Sequence, residues 1–145
     1  MLAAIRPDSW NFPLFLHVLG AVVLFGATAT VAIVGFAGRG RPDHSGLLTR
    51  LALRTFLFGI VPSWIVMRVA AQWILGKEFP DDDQAPGWVD IGLLVSEAGA
   101  LLLIAVGILA WLSVRRGRPF LAVPVLATIY VVALGVAMFA MSAKP

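Results

Sequence analysis

Apolar residues dominate the chain in four long blocks, each bounded by short polar or Gly/Pro-punctuated segments. The blocks run from about Phe12 to Phe36, Leu51 to Leu75, Val89 to Val114 and Phe120 to Met141. Each is long enough to cross the ~30 Å hydrocarbon core of a bilayer as a helix, which takes about 20 residues. The pattern predicts an all-α fold: a single domain over residues 1–145, built as an antiparallel up-down bundle of four transmembrane helices. An Ala27-Thr28-Ala29 sequence imitates a signal-peptidase site, but the apolar run continues through Ala37, so an uncleaved span is expected. Ser9 or Asn11 is the expected cap of the first helix, with Pro13 in its first turn. Pro62, near the middle of the second span, predicts a kink there and a freed carbonyl near residue 58.

Composition agrees with this reading. The 145 residues are 60% hydrophobic and 13% charged, about half the charged fraction of a soluble domain. The absence of cysteine excludes disulfides, thiolate metal sites and thiol chemistry. A pI near 10.2 would suit nucleic acid. The basic residues, however, sit in short segments beside apolar spans, where membrane topology accounts for them and no nucleic-acid partner is expected.

Those charges predict an orientation. Arg39, Arg41, Arg50, Arg54, Arg115, Arg116 and Arg118 are seven of the eleven basic residues, and all flank the first and third connections. Arg6, Lys77 and Lys144 are spread over the remaining segments. The positive-inside rule then places both arginine-rich loops in the cytoplasm and both termini outside, in a bacterial plasma (inner) membrane. Trp10, Trp73, Trp88 and Trp111 fall near span ends, as interfacial anchors do. The arginine-rich loops face anionic headgroups in this orientation. Asp81, Asp82 and Asp83 form a solvated acidic loop rather than a cation site, because three consecutive carboxylates do not converge on one ion.

Three ionisable residues break the apolar blocks and mark the candidate chemistry. Arg68 lies about 10 Å inside the second span from its outer end, Glu97 about 9 Å inside the third, and His17 about 8 Å inside the first. An arginine or acid alone at the centre of a span costs about 2.5–3.5 kcal/mol on insertion scales, so Arg68 is expected to pair with Glu97 across neighbouring helices two and three. Trp64 and Gln72 share the Arg68 stripe at four-residue spacing. The five residues His17, Trp64, Arg68, Gln72 and Glu97 are the candidate cofactor-binding set, with His17 the one candidate ligand for haem iron. A buried pair that only fixes helix register remains the alternative, as does a proton or transport pathway through Glu97 and His17. Gly92, Ser96 and Ala100 form a small-residue row suited to close helix contact within the bundle or to a homo-oligomer. No nucleotide loop, nucleophile triad or metalloprotease helix is present.

The segment FLHVLGAVVLFGATATVAIV (Phe15–Val34) resembles the opening helix of bacterial four-helix membrane proteins that begin with a histidine and a small-residue-rich helix. That group includes uncharacterised integral membrane families, copper-resistance-type membrane domains and the four-helix membrane protoporphyrinogen oxidase. Pro62 at mid-helix two and the terminal Lys144-Pro145 match the oxidase layout. The group's Trp-x-Gly-Gly element reads Leu24-Phe25-Gly26-Ala27 here, and Trp88-Val89-Asp90-Ile91-Gly92 holds none of the oxidase's helix-three lysine. The resemblance therefore implies haem binding through His17 alone. The expected function is that of a small integral membrane protein whose polar cluster near the outer leaflet binds haem or another hydrophobic redox cofactor. An accessory subunit of a membrane complex is the alternative.

Overall fold

The computed structural model describes residues 8–78 and 87–142. Every element in them is helical: α1 (Asn11–Gly40), α2 (Ser45–Thr55), a π-helical turn (Phe56–Ile60), α3 (Val61–Glu78), α4 (Gly87–Arg116) and α5 (Ala122–Ser142), with single 3-10 turns at Asp8–Trp10 and Pro42–His44. α2, the π-turn and α3 run on without interruption, giving four helices long and apolar enough to cross a membrane.

Most boundaries lie a few residues from the sequence expectation, and at the starts of the first two long helices the local cause is visible. The second helix starts at Ser45 rather than Leu51, because Pro42 opens a 3-10 turn whose last carbonyls feed directly into α2 and the Ser45 hydroxyl bonds Pro42 O at 2.9 Å. The connection between the first two helices thus shrinks to a few residues. At the start of α1 the cap position falls on Trp10, led in by the 3-10 turn, rather than on Ser9 or Asn11, and the Trp10 side chain makes no cap bond.

Pro62 leaves its expected mark as a widened turn. Lacking an N–H, it cannot bond Phe58 O, and the five residues Phe56–Ile60, one position short of it, take up π geometry. The turn carries Phe56 and Ile60 into the core and leaves Phe58 80% exposed. The other sharp local feature is the end of α4. Gly117 sits at φ 61°, Gly117 N bonds Val114 O, and Arg118 N bonds Ser113 O at 3.2 Å, which together make a Schellman stop. The Ser113 hydroxyl reinforces it, donating to Leu109 O (2.8 Å) and accepting from Phe120 N (3.2 Å).

The core is a continuous cluster in which Leu24, Val31, Ile60, Val106, Ala127 and Tyr130 are buried. Thr28 is fully buried among them and satisfies itself by donating to Leu24 O at 2.7 Å. Glycine at helix crossings sets how closely the helices approach. A Cβ on Gly20 would lie 2.8 Å from Met67 N, so α1 and α3 meet backbone to backbone; Gly35 receives Pro124, Gly99 the Tyr130 ring and Gly107 the Phe56 ring.

The packing order follows. α1 lies against α2, α3 and α5, and α4 lies against α5 and, at its arginine-rich end, against α2. The expected side-by-side pairing of the second and third long helices holds only there. Beyond α2 the pair diverges, and α3 and α4 scarcely touch along their backbones. The physical cause is local: the π-turn and Pro62 redirect α3 onto α1, where the Gly20 notch accepts the Met67 backbone.

Candidate functional site

Where α2 gives way to α3, a lateral cleft of about 560 Å³ lies between the π-turn with its flanking residues and α4. Its walls are Leu53, Leu57, Ile60, Val61 and Trp64 on one side and Ala100, Leu103, Ile104, Ile108 and Trp111 on the other; Phe56 and Gly107 meet across it. Leu57, Ile104, Ile108 and Trp111 are each about half exposed, so the cleft opens sideways onto the apolar surface of the bundle. A second, small cavity of about 20 Å³ lies at the arginine-rich end between Gly38, Ala52, Ser113 and Phe120.

Polar groups gather where the cleft runs away from the arginine-rich end. Arg68, one turn beyond Trp64, reaches across to α4 and its Nη2 donates to Glu97 Oε1 at 2.9 Å. The two partners are unequally covered: the Arg68 side chain is 22% exposed and that of Glu97 is 69% exposed. Gln72, one further turn along α3, completes the arginine's coordination. With its amide oxygen turned toward the guanidinium, the orientation that satisfies both groups, it accepts from Nη1 at 3.0 Å and Nη2 at 3.2 Å. The fork of Arg68 is thus shared between a carboxylate and an amide, and the cluster carries no net charge.

Beneath this bridge lie polar atoms without partners. Trp64 Nε1 and Ser96 Oγ are buried and make no hydrogen bond, and the same holds for the hydroxyl of the fully buried Tyr130. Trp64 and Tyr130 approach each other short of hydrogen-bond geometry. Ser96 stands one helical turn from Ala100 and two from Leu103 on the stripe that walls the cleft, whereas Glu97 is turned outward onto its lip. Burial of an unpaired donor or acceptor costs about 1–3 kcal/mol, so three in one layer is a feature to be explained.

His17 belongs to a different contact. Its Nδ1–H donates to Met67 O at 3.1 Å, on the face of α3 that packs against α1. Met67 and Arg68 are adjacent in sequence, but successive helical residues point about 100° apart. Arg68, Glu97, Gln72 and Trp64 are therefore brought together, and His17 is held at the same level on another side of α3. Haem does not fit there. The backbone crossing at Gly20–Met67 lies one turn away and closes the space beside the ring, His17 lines neither cavity, and His44 lies at the arginine-rich end. Among the described residues no cluster of three or more His, Asp or Glu side chains is placed to hold a metal ion.

The helix ends carry cation–aromatic contacts. At the arginine-rich end Arg115 lies over Trp111 at 4.8 Å, Arg116 and Arg118 flank Phe120 at 5.8 and 5.4 Å, and Arg39 reaches Pro119 O at 3.4 Å. At the other end Lys77 lies over Trp73 at 5.5 Å and bonds Ser9 O, with Phe12 edge-on to the same indole. The Asp81–Asp83 loop, the Trp88 side chain, Arg6 and Lys144 lie outside the described residues.

Sequence reasoning overlooked the Tyr130 and Ser96 hydroxyls as members of this layer and missed the cleft itself. Gly99 and Gly107 carried a signal, since each leaves room for an aromatic ring from another helix. No family model matches the chain, and no curated protein and no solved structure matches it.

Proposed function

We propose that the protein is a small multi-pass membrane protein that takes a hydrophobic ligand from the bilayer into the cleft between the π-turn region and α4. The bundle is antiparallel in this reading, with the arginine-rich end in the cytoplasm, so that the Arg68–Glu97 bridge lies in the outer leaflet. The observation that carries the proposal is the cleft: about 560 Å³, almost wholly apolar, and open along its side. That volume lies in the usual range for small-molecule sites, and a sideways mouth admits what is dissolved in lipid rather than in water. A hydrophobic cofactor is one such ligand; haem on His17 is not the form the geometry favours.

Filling the cleft tests this. The Ala100→Phe variant and a control on the lipid-facing surface of α1, Val22→Phe, are purified from native membranes and weighed intact by native mass spectrometry. A hydrophobic adduct retained by the parent and by Val22→Phe, and lost from Ala100→Phe, is expected. Identical adduct patterns in all three proteins would refute the proposal.

A second reading rests on the bridge alone. Arg68, Gln72 and Glu97 join two helices that otherwise diverge, which is what a purely structural strut would do. In that case a partner subunit or a second copy would cover the cleft, and the protein would be an accessory component of a membrane complex.

A further inference from the structure

The arginine-rich end carries a charge imbalance that the cleft does not use. Arg39, Arg41, Arg50, Arg54, Arg115, Arg116 and Arg118 are all exposed there, and Asp43 is the one acidic side chain beside them. Among the described residues the single ion pair is Arg68–Glu97, so no carboxylate neutralises any of the seven.

Three of these arginines converge on one short turn. The Schellman stop of α4 and the Ser113 hydroxyl, which accepts from Phe120 N, hold residues 117–120 in place. Arg116 and Arg118 lie 5.8 and 5.4 Å from the centre of the Phe120 ring, and Arg39, at the end of α1, donates to Pro119 O at 3.4 Å. α5 starts at Ala122 with no acid in its first turn, so its N-terminal N–H groups add positive field at the same spot.

We infer that the Pro119–Phe120 turn, with Arg39, Arg116 and Arg118, binds the phosphate of an anionic phospholipid. Like charges gathered on one turn repel, and a guanidinium engaged through a ring face or a single N–H keeps most of its five donors for an acceptor. The paired oxygens of a phosphodiester match that fork and supply the missing negative charge. The level suits a lipid headgroup. The spans of membrane-crossing length end at Gly40 and Arg116 and resume at Ala122, which sets the turn at the boundary between hydrocarbon and water. The flank favours a lipid over a soluble phosphate. Leu121 and Val125, one helical turn apart directly below the site, are 48% and 38% exposed, and an acyl chain covers them where a free anion covers nothing. The general pull of basic loops on an anionic leaflet would weigh all seven arginines alike; this geometry singles out three. The inference needs the bundle to stand in a membrane and does not depend on the cleft.

Native mass spectrometry of the full-length protein tests it, with release from micelles that hold equal amounts of phosphatidylglycerol and phosphatidylcholine of the same chain composition. The parent is expected to retain phosphatidylglycerol in preference. Arg116→Gln/Arg118→Gln should cut that preference by about fivefold or more, the weight of one or two basic side chains at an anionic surface. Arg50→Gln/Arg54→Gln removes the same charge from α2, where neither guanidinium stacks on Phe120 or bonds the turn, and should leave the preference unchanged. All four arginines are exposed, so neither pair is expected to disturb folding. Equal losses from the two pairs would show charge spread over the whole end and overturn the site, as would a parent with no preference between the lipids. Displacement of the bound lipid by glycerol phosphate at the lipid's own concentration would make the turn a soluble-phosphate site and overturn the lipid assignment. The cleft is judged separately: phosphatidylglycerol kept by the parent and by Ala100→Phe alike belongs to this turn.

Discussion

Removing the partners of the Arg68–Glu97 bridge singly and together measures what the bridge contributes. The 2.9 Å contact is a charge-assisted hydrogen bond, a class worth about 1.5–3 kcal/mol, with Gln72 adding a neutral acceptor to the same guanidinium. Glu97→Ala leaves Arg68 facing Gln72 alone in apolar surroundings. Arg68→Ala leaves the Glu97 carboxylate on the lip of the cleft, where it is the more exposed of the two partners. Because the stranded carboxylate is less covered than the stranded guanidinium, Arg68→Ala is expected to destabilise less than Glu97→Ala. The double variant strands no charge, so it should lose less than the sum of the two single changes, by about 1–3 kcal/mol. Reversible unfolding in mixed micelles, titrated with denaturing detergent, gives the three values. A coupling below about 0.5 kcal/mol would show independent sites and refute the bridge as an energetic link. Arg68→Lys separates charge from geometry: a lysine keeps the charge but not the fork that spans Glu97 and Gln72, so it should recover only part of the coupling.

Other consequences follow from the packing and the proposed orientation. Gly20→Leu drives a side chain into the Met67 backbone and should destabilise by about 1–3 kcal/mol in the same titration, whereas Gly26→Ala, with nothing within 4 Å of the added Cβ, should be neutral or slightly stabilising. Thr28→Val keeps the buried shape and removes a hydroxyl bonded only to its own helix, so its effect should stay near 0.5 kcal/mol, while Thr28→Ala leaves a void in the fully buried layer and should cost more. The chain has no cysteine, so single cysteines report topology without background. Ser9→Cys and Ser142→Cys should react with an impermeant maleimide on intact cells, and Arg118→Cys only after the membrane is opened; the opposite pattern contradicts the orientation.

Much of the architecture was legible because it depends on one-dimensional properties. Four apolar blocks of membrane-spanning length, and arginines gathered at two of the connections, need no knowledge of packing. Arg68 and Glu97 could be paired for the same reason: each is too polar to be left alone in its block. What sequence could not convey was direction around the helix axis. His17, Arg68 and Glu97 share a level, yet Met67 faces α1 and Arg68 faces α4, and one residue separates the two contacts. The cleft was hidden because it arises from a conflict among three helices. Pro62 and the π-turn aim α3 at the Gly20 notch, and α4 follows α5, so a cleft is left beside the π-turn. The unpartnered Tyr130 and Ser96 hydroxyls likewise became visible only once rings and backbones were placed around Gly99.

The central claim is that the cleft between the π-turn region and α4 is a ligand site opening on the bilayer. The most direct measurement is peptide-resolved labelling of the protein in lipid nanodiscs by an alkyl diazirine at low occupancy. Labels concentrated on the segments 53–64 and 100–111, and displaced by excess unlabelled amphiphile, are the predicted result. Labels spread evenly over every exposed apolar face, including Val22 and Ile33 on α1, would contradict it.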